Sequence, residues 1–184
     1  PMEERFENRQ ELISRFLRFF CMRTGHPIRV GEIFEKIRRK YLNAPPDQVR
    51  TLLHDISRYS DYYLRLLQPE SWPIPEIPGD IRSHLVRIRI LGGDSPSPFL
   101  MNCFAWNETS ADGVQILSNE SLVRILAMIE SFLIRRAVCG RSDTGYEEFF
   151  SGLCSRITPD PDDIPDRVGA YLINPEDPRR MPDD

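Results

Sequence analysis

The residues with the clearest potential for chemistry are three arginines around the end of one predicted helix: Arg135, Arg136 and Arg141. A guanidinium group suits planar, bidentate contacts to phosphates and carboxylates, so the cluster is a candidate contact for nucleic acid or a nucleotide. The alternative is structural, because the helix dipole favours cations at a C-terminus and the arginines could pair with Glu130 or Glu147. We favour the structural interpretation.

The remaining reactive side chains do not assemble into a recognisable site. The chain has three histidines without a second ligand at metal-binding spacing: His26, His54 and His84. We expect a pair such as His84 and Asp80 to be solvated on a helix surface. No glycine-rich phosphate loop and no nucleophile elbow is present in the sequence. The sequence therefore predicts no catalytic residue, no metal site and no cofactor site, and no enzymatic activity for this chain alone.

Cysteine usage and hydropathy indicate the cellular setting. Four cysteines lie far apart in apolar segments, where free buried thiols are usual: Cys21, Cys103, Cys139 and Cys154. This pattern predicts a reducing, cytoplasmic location. No apolar run reaches the length of a membrane span, so we expect no membrane partner. The chain opens with Pro-Met-Glu-Glu and no initiator methionine, which suggests a piece of something longer.

Charge is distributed unevenly along the 184 residues, of which 40% are hydrophobic and 28% charged. Residues 158–184 contain eight acidic residues and three arginines, a net charge of −5. Since the whole chain carries −4, the preceding body carries +1. The chain therefore lacks the overall positive charge that is typical of nucleic-acid-binding proteins. Nearly all basic residues are arginine, and the only lysines are Lys36 and Lys40.

The apolar periodicity predicts helices along most of the chain. They are expected over about residues 8–23, 30–42, 47–67, 80–91, 98–106, 118–139 and 144–157, with a short one at 168–173. Residues 86–90 also alternate in polarity, so a strand is the alternative there. The proline-rich stretch 68–79 predicts a loop. We therefore expect an all-α, multi-helix bundle of about seven or eight helices. The helical domain would span residues 1–157, followed by an acidic, proline-rich extension over 158–184 with an extended start and a frayed tail.

The helix over 118–139 is expected to be central and buried. Ser118 can cap its start and Gly140 its end. One apolar stripe comprises Leu122, Leu126, Ile129 and Leu133, and a second comprises Val123, Ala127, Ile134 and Val138. A helix with two apolar sides must be covered on both. Elsewhere, the apolar faces of the first two helices include Ile13, Val30 and Phe34. The tyrosines at positions 59, 62 and 63 could stack on bases, but their spacing favours core packing.

Several segments resemble one known family. The segment Ile-Glu-Ser-Phe-Leu-Ile-Arg-Arg-Ala-Val-Cys-Gly at 129–140 is similar to a segment of the GmrSD-type proteins, the modification-dependent (Type IV) restriction endonucleases. Weaker resemblances fall in the order expected for that family at 15–25, 33–36, 59–63, 145–150 and 181–184. Together they cover most of the chain.

The resemblance implies a place within a larger protein. Family members carry an N-terminal ParB-like nucleotidase domain with an Asp-Gly-Gln-Gln-Arg motif, a helical middle region and, in many cases, a C-terminal HNH-type nuclease domain. This sequence resembles only the helical middle, so no catalytic residue carries over, and nucleotide and divalent metal are expected in the flanking domains. The implied function is a non-catalytic scaffold in phage defence. The alternatives are a module that contacts modified DNA through arginines and a free-standing protein-interaction domain.

Overall fold

Helices form the regular structure in the computed structural model. The structure describes residues 2–71, 79–110, 112–159, 163–174 and 176–182. For residues 2–8 it describes the backbone alone. No strand occurs in these ranges. The α-helices are α1 (Met2–Met22), α2 (Ile33–Tyr41), α3 (Pro46–Leu67), α4 (Gly79–Gly92), α5 (Ser97–Asn107), α6 (Asn119–Val138), α7 (Tyr146–Arg156) and α8 (Ile164–Leu172), and a 3-10 turn over Val30–Glu32 precedes α2. The predicted all-α, multi-helix bundle is confirmed. Residues 86–90, with strand as the alternative, lie within α4.

Local signals account for several helix ends. Ser118 caps α6, because its hydroxyl oxygen accepts a 3.1 Å hydrogen bond from the backbone N–H of Ser121. Gly140 ends the same helix with a φ of +61°, a conformation that costs glycine least. Pro46 and Pro98 lie in the first turns of α3 and α5, where a missing N–H breaks no helical hydrogen bond.

Two helices, α5 and α6, share the centre of the bundle. Helix α6 packs most extensively against α4 and α8, and more lightly against α5. Its buried apolar side chains are Leu122, Ile125, Leu126, Ile129, Phe132 and Leu133. Helix α5 packs against α1, α3 and α7 and buries every residue from Ser97 to Phe104. The core is therefore continuous from the N-terminal helices to α8.

The second predicted stripe of α6 differs from the observed packing. Its first two members are half-buried, but Ile134 is 41% exposed and Val138 is 82% exposed. The helices around α6 instead enclose Phe132 and Arg136, which are 0% and 5% exposed. One broad buried face is enough to hold an amphipathic helix, so the other side can face solvent at the C-terminal end.

Aromatic side chains fill much of the core. Phe132 of α6 stacks on Phe149 of α7 with ring centroids 5.0 Å apart and an interplanar angle of 4°. Tyr59, Tyr62 and Tyr63 are all at least 94% buried, which confirms core packing for these tyrosines. Tyr62 also donates a hydrogen bond to the Glu108 carboxylate. This bond satisfies the buried phenol of Tyr62 and fixes its side chain in place.

The C-terminal region is more integrated than its composition predicts. Helix α8 begins at Ile164, four residues before the predicted start, with Pro165 in its first turn. Ile164, Val168 and Leu172 recur at a spacing of four and are at most 1% exposed against the core. The predicted fraying is wrong for the described residues beyond α8, since the backbone N–H of Met181 donates to the Leu172 carbonyl at 2.6 Å. The division after residue 157 stays a prediction.

Two predicted loops fall partly outside the described residues. Of the loop at 68–79, residues 72–78 are not described. Of the extended segment predicted at 158–167, residues 160–162 are not described, and α8 occupies its end.

Candidate functional site

The three candidate arginines have different environments. Arg135 is half-buried on α6, Arg141 is exposed just beyond Gly140, and Arg136 is only 5% exposed. The interior position of Arg136 leaves it without a free face toward a phosphate backbone. Only Arg135 and Arg141 present accessible surface, so the three do not form one exposed cluster.

Arg136 joins three segments of the chain. Its Nε donates to the Tyr146 phenolic oxygen at 3.0 Å, at the start of α7. Its two terminal nitrogens donate to the backbone carbonyls of Ser142, at 3.0 Å, and Arg180, at 3.1 Å. The guanidinium carbon also lies 5.7 Å from the Phe132 ring centroid and 5.3 Å from that of Tyr146. Among the described residues no carboxylate pairs with it, so the predicted pairing of Arg136 with Glu130 or Glu147 is wrong.

Glu130 is bound from another helix. The Nδ1 atom of His84 and the Nε atom of Arg87, both on α4, lie 2.6 Å from its carboxylate oxygens. Burial by itself would raise the pKa of Glu130, but the hydrogen bonds from Arg87 and His84 lower it below the ordinary value. The prediction that His84 is simply solvated is wrong, because the ion pair ties α4 to α6.

Glu147 is bound by α1. Arg18 donates to both of its carboxylate oxygens, and the Nε of Arg18 donates to the Ile28 carbonyl at 2.8 Å. Such a bidentate pair is among the stronger ionic contacts in proteins. Arg18 lines a cleft of about 500 Å³ between α1 and the start of α7, together with Glu32 and Asp143. Its guanidinium is therefore already neutralised and holds the two helices together.

The cysteines give no reactive centre. Burial raises the pKa of the Cys21 thiol, raises that of Cys154 to about 12, and holds that of Cys103 well above its usual range. A protonated thiol is a poor nucleophile, so these three behave as apolar core atoms. Cys139 is exposed at the end of α6, which differs from the predicted burial.

An open apolar groove runs between α1 and α2. Its walls include Leu17, Ile37 and Tyr41, and its volume is about 510 Å³. Phe34 is 71% exposed, Leu42 is 65% exposed and Val30 is 55% exposed along its edge, with Ile13 nearby on α1 at 56%. Contiguous exposed apolar side chains are typical of interaction surfaces. This groove is the candidate functional site that the geometry favours.

Sequence patterns alone did not identify the groove. Val30 and Phe34 belong to the apolar residues of the second predicted helix, where we expected one buried stripe. Helix α2 has only nine residues and buries Ile33 against the core, leaving Phe34 on the other side. The sequence signal for the groove is the width of the apolar face, which is larger than the surface that a short helix can bury against the core.

Among the residues that the structure describes, no three His, Cys, Asp or Glu side chains converge as a metal site. Within the same part of the chain, no helix combines the length and apolar character needed to cross a membrane. Comparison with protein-family models, curated proteins and solved structures finds no match to this chain.

Proposed function

We propose that this chain is a non-catalytic helical scaffold within a GmrSD-like, nucleotide-dependent and modification-dependent DNA restriction protein of the cytoplasm. In this proposal it joins a ParB-like nucleotidase domain to an HNH-type nuclease domain and keeps the two in register. The resemblance of segment 129–140 and the weaker segments in the family order support the assignment. Nucleotide and divalent metal are then bound by the flanking domains, which also supply the catalytic residues.

The single observation that carries the scaffold role is the environment of Arg136. This arginine lies in the most specific segment of the resemblance, and its donors are used inside the protein. A cation that joins α6, the start of α7 and the C-terminal segment stabilises a relative arrangement of helices. Such an arrangement is what a spacer between two catalytic domains needs.

The groove between α1 and α2 is the surface through which this scaffold contacts a neighbouring domain. Phe34 and Leu42 are the most exposed apolar side chains along it. Large apolar side chains at the centre of an interface contribute most of its binding free energy. A domain that covers the groove would remove this surface from water and fix its own position relative to the bundle.

The decisive experiment compares two double variants of the full-length protein. Phe34→Ser with Leu42→Ser removes the groove edge, and Leu53→Ser with Ile90→Ser removes exposed apolar side chains elsewhere, at 61% and 77% exposure. We expect the groove variant to lose nucleotide-dependent cleavage of modified DNA by at least about tenfold. The control variant should retain it. Equal activity in both would refute the scaffold contact.

Two further measurements bear on the proposal. The reading frame around this segment should encode the Asp-Gly-Gln-Gln-Arg motif upstream and a His-containing nuclease motif downstream. The chain by itself should neither hydrolyse nucleotides nor cleave DNA when supplied with ATP or GTP and Mg²⁺. Either activity in the isolated chain would overturn the non-catalytic assignment.

The groove also favours a second candidate, a free-standing protein-interaction domain. The same Phe34 and Leu42 substitutions would then abolish binding of a separate protein, while the reading frame would lack the catalytic motifs. The DNA-binding alternative depends on Arg135 and Arg141, since Arg136 is enclosed. Reversing the charge of Arg135 and Arg141 would weaken binding to modified DNA if that alternative holds.

A further inference from the structure

A small cationic pocket lies between α1, α2 and α3, next to the groove, and the two share Ile37 and Tyr41 in their walls. Its volume is about 110 Å³, and the buried side chains of Cys21 and Leu52 line it. Arg23 lies in the turn directly after α1, while Lys36 and Lys40 lie on α2. These are the only two lysines in the chain, and both line this pocket.

The positive charges at the pocket are poorly neutralised. Among the described residues, no carboxylate lies within ion-pair distance of Lys36 or Lys40. The acidic neighbour of Arg23 is Asp55, at 3.8 Å, near the outer limit of an ion pair. Lys36 and Lys40 are four residues apart, so they share a helix face and repel one another. An anion from outside the chain would relieve this repulsion.

Arg23 is held in position by aromatic rings. Its guanidinium carbon lies 4.5 Å from the ring centroid of Phe20 and 4.3 Å from that of Tyr59. Its Nε–H is buried without a hydrogen-bond partner among the described residues. Stacking restricts the guanidinium plane, and the donors along its edge suit a planar or tetrahedral oxyanion. The arginine is thus partly preorganised before any ligand binds.

The electrostatic surroundings of Cys21 support convergence of the three cations. Burial is the largest effect and raises the pKa of its thiol, while Lys36, Arg23 and Lys40 all act in the opposite direction. The positive field of all three side chains therefore reaches the buried wall of the pocket. Since the pKa stays raised, the thiol is a wall atom and not a nucleophile.

The helix dipole explains only part of this arrangement. Lys40 lies in the last turn of α2, where the dipole favours a cation, as it does for Arg38 and Arg39. Lys36 lies one turn earlier, and Arg23 lies outside α2, directly after α1. Their convergence with Lys40 on one pocket needs another reason, and anion binding supplies it.

We propose that Arg23, Lys36 and Lys40 form a binding site for a phosphoryl group. The volume is well below the roughly 300–1,000 Å³ of a typical small-molecule site, so a phosphate enters and the rest of the ligand stays outside. A phosphate of a single-stranded nucleic-acid backbone and the terminal phosphates of a free nucleotide share this chemistry. The proposal does not depend on the scaffold function.

The test compares two double variants with the same change in charge. Lys36→Gln with Lys40→Gln removes the pocket cations, whereas Arg38→Gln with Arg39→Gln removes two charges from the same helix outside the pocket. Binding of a fluorescein-labelled single-stranded oligonucleotide is measured by fluorescence anisotropy over a salt series, and binding of pyrophosphate by titration calorimetry. Circular dichroism checks that both variants fold.

We expect the wild-type chain to bind at least one of the two probes. The pocket variant should lose about tenfold or more in affinity, and with the oligonucleotide the salt slope should fall by roughly 1.4, about 0.7 for each lost contact. The control variant should lose clearly less. Tight pyrophosphate binding that displaces the oligonucleotide identifies terminal phosphates, while oligonucleotide binding that pyrophosphate barely displaces identifies the backbone. Equal losses in both variants, or no binding of either probe, would overturn the proposal.

Discussion

The Arg136 guanidinium donates a 3.0 Å hydrogen bond to the phenolic oxygen of Tyr146, and both side chains are at least 95% buried. The bond links the end of α6 to the first turn of α7. The remaining donors of Arg136 serve the backbone carbonyls of Ser142 and Arg180. A planar group with several donors is suited to such a junction, since one side chain satisfies three acceptors at once.

Replacing Arg136 by Met should destabilise the chain by about 2–4 kcal/mol, because three acceptors lose a charged donor in a buried setting. Urea unfolding followed by circular dichroism measures the change. Arg136→Lys should recover only part of the stability, since an ammonium group cannot reproduce the fork of donors. Arg141→Met is the control and should change stability by less than about 0.5 kcal/mol. Wild-type stability of Arg136→Met would contradict the structural role.

Two substitutions on α6 test which of its faces is buried. Phe132→Ala should cost about 3–5 kcal/mol, because it removes a fully buried ring that stacks on Phe149. Val138→Ala should cost less than about 0.5 kcal/mol, since Val138 is 82% exposed. Thermal unfolding of both variants gives the comparison. Similar losses at the two positions would mean that the helix is covered on both sides.

Gly25 is required by both its conformation and its surroundings. Its φ is +92°, and an added Cβ would lie 2.2 Å from the Ser155 Cβ and 2.8 Å from the Ser155 Cα. Gly25→Ala should therefore destabilise the chain by about 2–4 kcal/mol, from left-handed strain and overpacking combined. Gly140→Ala has the strain without the collision, at a φ of +61°, and should cost about 1–2 kcal/mol. If Gly25→Ala and Gly140→Ala lowered the stability equally, the close approach of Ser155 would not contribute to the loss.

The ion pair at Glu130 predicts a pH dependence of stability. Because its folded-state pKa lies below the unfolded value, the unfolded state binds more protons in acid. The contribution to stability is fully present above a pH of about 4.5, the ordinary value for this group, and is lost as the pH falls through the lower folded-state pKa. Glu130→Gln should weaken this dependence in urea unfolding measured from neutral to acidic pH.

The same substitution should lower stability at neutral pH by about 1–3 kcal/mol, since His84 and Arg87 lose their charged acceptor. Glu70→Gln removes the same charge from an exposed turn and should cost less than about 0.5 kcal/mol at neutral pH. If the stability of Glu130→Gln fell with acidic pH as much as that of the unsubstituted chain, this carboxylate would not contribute to the pH dependence.

Local sequence signals determined the helices of this protein. Ser118 and Gly140 bracket α6 as predicted, because capping depends on side chains and backbone conformations within a few residues. The apolar spacing also predicted most of the buried face of α6. It failed at Ile134 and Val138, since periodicity shows which side of a helix is apolar and not how far a neighbouring helix extends along it.

Tertiary structure alone decided the partners and the surfaces. Arg136 contacts residues up to 44 positions away, and Glu147 is paired with Arg18 across 129 positions, distances over which sequence spacing carries no geometric information. The spacing of Lys36 and Lys40 places them on one helix face, but packing of α1 against α2 brings Arg23 to them. Exposure of Phe34 was decided in the same way. An apolar residue on a short helix is buried or exposed according to which elements pack beside it, and that is a property of the assembled bundle.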